Sequence, residues 1–293
     1  MLRLGRAPAK LNLVLELTRR RADGYHELAA VSHTIDWSDL VGVEMEDSAR
    51  PDSCRLVVVG PRAGDVPHDG QNILLRALDA MREAGFNPPI TRLVLDKRIP
   101  AKSGLGGGSA DAAALLRMAL GRTTEERVLA LAKQCGADVP FAIGGGAALL
   151  TGIGEVLEPL RPISQGVFLV AHLGDVSTAA AYAAVEPRDF SDGHRAESVA
   201  RALRAGLSPD PKDLGSALLP AALRVTPGLA EQLRALRGAT PWLDWAMTGS
   251  GGTFFSLVMT PELLARSAAA LARLCPEVPF RAVAPEAGCR QET

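Results

Sequence analysis

A glycine-rich run that passes directly into a helix pattern sets the strongest limit on how this chain can fold. Four of the five residues from Gly104 to Gly108 are glycine, and apolar residues recur at helical spacing after Asp111. We place the helix N-cap at Ser109. Backbone without Cβ atoms can close around phosphates, and a helix N-terminus favours an anion. A flexible surface loop is the alternative, but the length of the run and its abrupt helix favour phosphate binding.

The run differs from two familiar phosphate-binding loops. It lacks the Gly-Lys-Ser/Thr ending of a P-loop, and Ser109 stands where the dinucleotide fingerprint has its third glycine. Residues 100–109 instead resemble the phosphate-loop motif of the GHMP kinases, named after the galacto-, homoserine, mevalonate and phosphomevalonate kinases. The resemblance implies ATP binding by Pro100, Ala101, Lys102, Ser103, Gly104, Leu105, Gly106, Gly107, Gly108, Ser109 and Ala110.

Lys102 departs from the motif, because these kinases usually have a small or apolar residue there. Its ammonium group either contacts a phosphate or is a surface charge that salt screens, and we favour the surface charge. A second departure is Gly252-Thr253, which replaces a more common Ala-Cys or Ala-Ser pair.

Bulk properties exclude several classes of protein. The 293 residues are 47% hydrophobic and 22% charged, and the net charge of −1 gives no electrostatic reason to bind nucleic acid or an anionic membrane. No apolar run reaches the roughly 18 residues of a membrane span, and a strand pattern begins too early for a signal or transit peptide. The four scattered cysteines indicate reduced thiols in a cytoplasmic protein. The histidines lack ligand spacing, so we expect no metal site made of protein ligands alone.

The N-terminal segment reads as a strand followed by a hairpin turn. Leucines alternate with other residues over 8–18, which predicts a strand with one buried face, and Lys10 and Asn12 share the other face. Asp23-Gly24 is a strong hairpin signal. Taken alone, Lys10 and Asn12 are solvated side chains and the adjacent Tyr25-His26 is a structural pair.

The same segment closely resembles the N-terminal signature of those GHMP kinases that act on a cytidyl diphosphate sugar alcohol. The matching runs are residues 8–13 and 22–28. The resemblance implies that Tyr25 and His26 hold a cytosine ring. It also places Lys10 among the catalytic residues and Asn12 among those that bind the substrate.

Four further runs match GHMP kinase motifs. Asp138 follows a helix end, where an aspartate is usually a turn residue, but in Gly-Ala-Asp-Val-Pro the resemblance makes it the catalytic base. Asn72 opens a helix whose start lies near the adenosine of ATP in these kinases. Thr178 and Tyr182 match a run near the substrate, and residues 248–253 match a loop that closes over the substrate and phosphates.

Strand and helix patterns alternate along the chain, which indicates an α/β or α+β protein. Separate strands are predicted over 31–36 and 40–46, and helices over about 195–206 and 212–222, among others. The resemblance implies the two-domain α+β GHMP kinase fold. A ribosomal-protein-like ATP-binding domain would span residues 1–160 and a ferredoxin-like domain residues 161–293, with the active site between them. We expect a monomer or a homodimer.

The resemblance implies phosphoryl transfer from ATP to the 2-hydroxyl of the methylerythritol part of a cytidyl substrate, in the non-mevalonate isoprenoid pathway. Asp138 would take or orient the hydroxyl proton, and Lys10 beside it would keep the carboxylate ionised and offset charge on the moving phosphoryl group. Mg²⁺ would accompany ATP, with Ser109 a possible ligand. Two alternatives stay open, which are another small-molecule GHMP kinase and an inactive nucleotide-binding regulator on the same fold.

Overall fold

The computed structural model describes residues 2–46, 54–121 and 123–288. The strands in these ranges are β1 (Leu2–Arg20), β2 (His26–Met45), β3 (Arg55–Val59), β4 (Ile90–Asp96), β5 (Ala147–Thr151), β6 (Val156–Leu160), β7 (Val167–His172), β8 (Gly215–Ser216), β9 (Ala246–Met247), β10 (Thr253–Val258) and β11 (Phe280–Val283). The helices are α1 (Ile73–Glu83), α2 (Gly107–Leu120), α3 (Glu125–Cys135), α4 (Val139–Gly144), α5 (Thr178–Ala183), α6 (His194–Arg204), α7 (Leu219–Val225), α8 (Leu229–Ala239) and α9 (Pro261–Leu274).

The strands form two sheets, which divide the chain near its middle. The first sheet has the order β3-β4-β2-β1-β8, and β5 pairs with both β2 and β6. The second sheet has the order β11-β7-β10-β9 and is antiparallel throughout. The chain leaves the first sheet after Leu160 and enters the second at Val167, and it returns to the first sheet only for the short strand β8. The predicted domain boundary falls in this interval, and the assignment of residues 1–160 and 161–293 to separate domains stays a prediction.

The two N-terminal strands are longer than the sequence pattern predicts. The hairpin at Asp23-Gly24 is confirmed, because β1 and β2 pair on either side of that turn from Leu2↔Glu44 to Arg20↔His26. The predicted separation of 31–36 from 40–46 is wrong, since β2 runs through both. The pairing of β1 with β2 is irregular between Pro8↔Ser38 and Lys10↔Thr34. This irregularity accommodates the polar residues between the two predicted strands within one continuous strand. The sequence pattern also predicts a strand over 53–59. Residue 53 lies outside the described residues, and Arg55–Val59 form β3.

The prediction of a single buried face on β1 is also wrong. Every residue from Ala7 to Leu17 is buried, and two helices, α2 and α6, both contact β1. Glu16 is among them, and its carboxylate accepts a hydrogen bond of 2.8 Å from Ala196 N in the first turn of α6. A helix N-terminus stabilises that negative charge. The alternation of apolar residues along β1 could not reveal that helices from distant parts of the chain would bury the strand.

The predicted helix over 212–222 divides into several pieces. Residues Pro211–Asp213 form one turn of 3-10 helix, β8 follows, and α7 begins only at Leu219. Gly215 has a φ of +119°, which a helix cannot accommodate, and it pairs with Val14 on β1 in parallel orientation. A local helical pattern is therefore overridden by pairing with a distant strand.

A buried histidine joins β2 to the chain just before the second sheet. Burial lowers the pKa of His33 to about 4, so its ring is neutral near pH 7. Its Nε2 accepts a hydrogen bond of 2.9 Å from Ile163 N, and its Nδ1 lies 2.7 Å from the Thr34 carbonyl oxygen. Both ring nitrogens are therefore used, with Nδ1 carrying the proton.

A buried cluster of charges lies beneath the glycine-rich run. Lys97 Nζ is 2.5 Å from an oxygen of Asp39 and 2.8 Å from Oδ2 of Asp111, and all three side chains are at most 1% exposed. The other oxygen of Asp39 accepts hydrogen bonds from the backbone N–H groups of Arg98 and Ile99. This cluster thus connects β2, the residues that enter the glycine-rich run and the N-terminal half of α2.

The pKa values of Asp111 and Lys97 are both raised in this cluster. Burial raises the pKa of Asp111 well above its usual range, and Lys97 opposes that shift only in part. Burial lowers the pKa of Lys97, but the carboxylates of Asp111 and Asp39 outweigh it and raise the pKa overall.

We predict that Lys97→Met lowers the free energy of unfolding by about 3–5 kcal/mol, because it leaves buried carboxylates without their cation. Urea unfolding measures the change. The matched control is Arg92→Met, whose partner is Glu44 at the surface, and it should cost less than about 1 kcal/mol. Equal losses in the two variants would contradict a stabilising role for Lys97.

Candidate active site

The glycine-rich run lies directly against β1. Lys10 N donates a hydrogen bond of 2.9 Å to the Leu105 carbonyl oxygen. Gly106 has a φ of +69°, and a Cβ at that position would lie 2.9 Å from Lys10 Cγ. Since real Cβ atoms essentially never come so close, a glycine at this position allows the run to reach the strand.

The helix after this run starts earlier than the sequence indicates. The prediction that Ser109 is the N-cap is wrong, because α2 begins at Gly107 and Gly106 is the N-cap residue. The N–H of Ala110 already donates to the Gly106 carbonyl oxygen at 2.9 Å. Left-handed backbone at Gly106 turns the chain into the helix three residues sooner. Ser109 therefore lies in the first turn of α2.

A cavity of about 350 Å³ opens above the N-terminus of α2. It is lined by most of the residues that we predicted to bind ATP, namely Pro100, Ala101, Lys102, Ser103, Gly104, Gly106, Gly107, Gly108, Ser109 and Asn72. Leu105 and Ala110 are buried and are not among its lining residues. The dipole of α2 and the unbonded N–H groups of its first turn make the cavity favourable for phosphates.

Asn72 lines this cavity, but its side chain is already bonded within the protein. Its Oδ1 accepts a hydrogen bond of 3.0 Å from Leu74 N and caps α1, and its Nδ2 donates to the Pro67 carbonyl oxygen at 2.7 Å. Asn72 therefore holds the wall of the cavity. Lys102 is exposed, with a φ of +55°, and the choice between a phosphate contact and a surface charge stays a prediction.

A second cleft of about 320 Å³ shares Gly104, Gly106 and Ser109 with the first cavity. Lys10 and Asp138 face each other in it, with 3.4 Å between Nζ and Oδ2. Lys10 is nearly buried whereas Asp138 is 40% exposed, so the carboxylate is the more accessible partner. Asp138 precedes α4 but makes no side-chain capping bond, which leaves its oxygens available.

Polar contacts fix the orientation of Lys10. Its Nζ donates a hydrogen bond to Asn12 Oδ1, and Asn12 Nδ2 donates to Ser32 Oγ at 2.8 Å. Lys10 and Asn12 share a face of β1, as the sequence predicts, and both are buried. The sequence analysis missed Ser32, because its role depends on the register between β1 and β2.

The loop at residues 248–253 closes the cleft from the C-terminal side. Thr248 Oγ1 accepts a hydrogen bond of 2.7 Å from Asn12 N, and the hydroxyl groups of Ser250 and Thr178 lie 2.7 Å apart. A Cβ on Gly104 would come within 3.0–3.1 Å of the Thr248 and Gly251 carbonyl oxygens. This loop therefore makes close backbone contacts with the glycine-rich run. Ser250, which belongs to the predicted loop but was not singled out in it, lines the cleft.

Aromatic side chains occupy the end of the cleft towards the β1–β2 hairpin. Burial, followed by the charge of Asp138, raises the pKa of Tyr182 to about 12, so its hydroxyl group stays protonated. The His26 ring lies 5.5 Å from the Tyr182 ring and 5.8 Å from Phe190, which the sequence analysis missed. Burial and the nearby charge of Arg20 lower the pKa of His26. Tyr25 is 62% exposed in the turn.

Other features of the described residues lie away from this site. A cavity of about 460 Å³ in the C-terminal half is lined by residues such as Leu214 and Trp245 and shares none with the two clefts. The described ranges hold no group of three or more His, Cys, Asp or Glu side chains that could bind a metal ion. None of the helices described here is long and apolar enough to cross a membrane.

The two adjoining cavities suit a transfer reaction between two molecules. One offers backbone N–H groups and a helix N-terminus to an anion, and the other offers an ammonium group beside an accessible carboxylate. Phosphoryl transfer requires this combination, in which phosphates are held in place and a hydroxyl group is oriented by a nearby carboxylate.

Comparison with known proteins agrees with this interpretation. Residues 72–146 match the model of the GHMP kinases N terminal domain. The 4-diphosphocytidyl-2-C-methyl-D-erythritol kinase of Thermus thermophilus is 38% identical over 273 residues, which cover 90% of this chain and 91% of the relative. The enzyme of the same name from Carboxydothermus hydrogenoformans is 34% identical over 86% of each chain.

Solved structures extend the likeness to the whole fold. A crystal structure of 4-(cytidine 5'-diphospho)-2C-methyl-D-erythritol kinase covers 98% of this chain and all of its own, with 34% identity and a TM-score of 0.74. Homoserine kinase from Cytophaga hutchinsonii has a TM-score of 0.69 at 17% identity, covers 98% of this chain and 95% of its own, and shares the fold. The predicted α+β GHMP kinase fold is thus confirmed. The chain belongs to the 4-diphosphocytidyl-2-C-methyl-D-erythritol kinase family of the GHMP kinases.

Proposed function

We propose that this protein transfers the γ-phosphoryl group of ATP to the 2-hydroxyl of 4-diphosphocytidyl-2-C-methyl-D-erythritol, a step of the non-mevalonate isoprenoid precursor pathway. The observation that carries the proposal is the pair of cavities joined at Gly104, Gly106 and Ser109. ATP occupies the cavity beside α1 and α2, with its phosphates against residues 104–109. The acceptor occupies the cleft that contains Lys10 and Asp138.

In this arrangement Asp138 orients the acceptor hydroxyl and takes its proton. The carboxylate is accessible from the cleft and lies 3.4 Å from Lys10 Nζ. The ammonium group is held by Asn12, so its charge is in place before the reaction starts. It offsets the negative charge on the transferring phosphoryl group, which is the main form of catalysis available to an enzyme of this reaction type.

Mg²⁺ enters the site as part of the MgATP substrate. Magnesium is usually bound through substrate phosphates, water and one or two side-chain oxygens. The Ser109 hydroxyl fits such a role because Ser109 lines both cavities. When bound, the ion neutralises charge on the phosphates.

The cytidyl end of the substrate lies towards the β1–β2 hairpin. Tyr25 has an exposed ring on which a cytosine can stack, and His26 is held against Tyr182 and Phe190. A base bound there is distant from Lys10, so its binding energy positions the reacting hydroxyl group. Asn12, Thr178 and Tyr182 line the cleft between the two ends.

We also propose that the enzyme acts in the cytoplasm. ATP is the phosphoryl donor, and Cys54, Cys135 and Cys275 are free thiols in the described part of the chain. Free thiols are typical of a reducing compartment.

An ADP-release assay with purified protein tests the proposed reaction. We expect turnover with the cytidyl substrate and ATP, and at most slow turnover with homoserine or mevalonate. Rapid phosphorylation of either smaller alcohol would favour a different GHMP kinase activity. Nucleotide binding without turnover of any acceptor would favour the inactive regulator.

We predict that Asp138→Asn lowers kcat by about 10²-fold or more and leaves ATP binding unchanged, because the variant keeps the shape of the side chain but cannot accept the proton. Steady-state kinetics and ATP titration measure the two effects. Asp210→Asn is the matched control, since Asp210 also precedes a helical turn but lies at the surface. A kcat for Asp138→Asn within threefold of wild type would show that Asp138 is only a turn residue.

We predict that His26→Ala lowers kcat/KM for the cytidyl substrate by about 10- to 100-fold, because an unpaired edge of the base is costly in a site built for hydrogen bonds. The KM for ATP should hardly change. The exposed His194→Ala variant is the control. Wild type should also prefer the cytidyl compound to its uridyl analogue, and equal rates with both would remove cytosine recognition from the proposal.

A further inference from the structure

Arg20 lies on the same side of the hairpin as the cleft that would hold the acceptor. It stands opposite His26 where β1 pairs with β2, and side chains of directly opposed residues share a face of the sheet. Leu28 follows two residues after His26, so it shares that face too, and Leu28 lines the cleft. Arg20 is therefore at the cleft end that also holds His26.

The neighbouring arginines already have carboxylate partners. Arg19 Nη2 lies 2.5 Å from Glu27 Oε1, and Arg21 Nη2 lies 2.7 Å from Asp23 Oδ2. Arg20 is exposed and forms no ion pair within 4.0 Å among the residues that the structure describes. Its charge is close enough to His26 to contribute to the lowered pKa of that ring, after the larger effect of burial.

The acceptor cleft itself offers little positive charge. Of the described side chains that line it, Lys10 and Asp138 are the basic and acidic ones, and they pair with each other. The proposed substrate, however, carries a diphosphate between its cytidine and its methylerythritol parts. A diphosphate bound in the cleft therefore needs a positively charged side chain from the edge of the site. Arg20 has such a charge and no carboxylate partner among the described residues.

We propose that Arg20 is a substrate-binding residue whose guanidinium group pairs with the diphosphate of the cytidyl substrate. Guanidinium groups bind phosphate oxygens through two parallel hydrogen bonds and keep their charge at any physiological pH. The inference rests on the proposed function and adds a recognition element for the anionic middle of the substrate. Its role is in binding, because Arg20 is the last residue of β1, whereas Lys10 of the Lys10–Asp138 pair lies near the middle of that strand.

Competitive inhibition by cytidine 5'-diphosphate and by cytidine separates the diphosphate from the base. In the wild type we expect the diphosphate compound to bind more tightly than the nucleoside. Arg20→Gln should weaken the diphosphate compound about tenfold, as expected for a charge-assisted contact at a partly exposed site, and change cytidine binding by less than twofold. The KM for the cytidyl substrate should rise by a similar factor, while kcat and the KM for ATP stay within twofold of wild type.

Arg19→Gln is the matched control, because it removes the same charge from the adjacent position, where Arg19 pairs with Glu27 on the other face. It should leave the preference for the diphosphate compound intact. The difference between the two variants should shrink at high salt, since ions screen an exposed contact.

Two results would overturn the role of Arg20 alone, given a wild type that phosphorylates the cytidyl substrate. In the first, Arg20→Gln and Arg19→Gln behave alike. In the second, Arg20→Gln weakens cytidine as much as its diphosphate, which would assign Arg20 to the base. A wild type that neither phosphorylates the cytidyl substrate nor binds cytidine 5'-diphosphate would instead remove the proposed function and, with it, the role of Arg20.

Discussion

The close approach of the glycine-rich run to β1 is the contact on which the rest of the site depends. Gly106 leaves space for the Lys10 side chain, and the Lys10 N–H group holds the run through the Leu105 carbonyl oxygen. The same strand residue therefore anchors the phosphate-binding backbone and presents its ammonium group to Asp138. A larger residue at position 106 would separate the two cavities that the proposed reaction brings together.

Two charged clusters support this contact from opposite sides. Beneath the run, Asp39 holds the backbone before it and Lys97 connects that carboxylate to Asp111 in α2. Above the run, Lys10 and Asp138 face the cleft. The side chains of the lower cluster are at most 1% exposed, and its hydrogen bonds fix the backbone that leads into the run, while Lys97 and Asp111 also line the first cavity. The upper pair remains accessible, and this difference in exposure is what makes it available for chemistry.

The sequence predicts the parts of the site that are local. The glycine-rich run, the hairpin at Asp23-Gly24 and the shared face of Lys10 and Asn12 follow from turn chemistry and strand periodicity, and the structure confirms them. The roles of individual site residues stay predictions. Features that depend on contacts between distant segments could not be predicted, because no local pattern encodes them. The start of α2 at Gly107 and the pairing of Gly215 with β1 are of this kind.

The central claim is that ATP and the cytidyl substrate bind in the two adjoining cavities with the reacting groups between residues 104–109 and Asp138. A crystal structure of the protein with the cytidyl substrate and a non-hydrolysable ATP analogue tests it most directly. We predict the terminal phosphate of the analogue at the N-terminus of α2, and the 2-hydroxyl of the substrate within hydrogen-bonding distance, about 2.6–3.2 Å, of Asp138. A substrate bound with its cytosine beside Asp138, or a nucleotide outside the cavity above α2, would contradict the account.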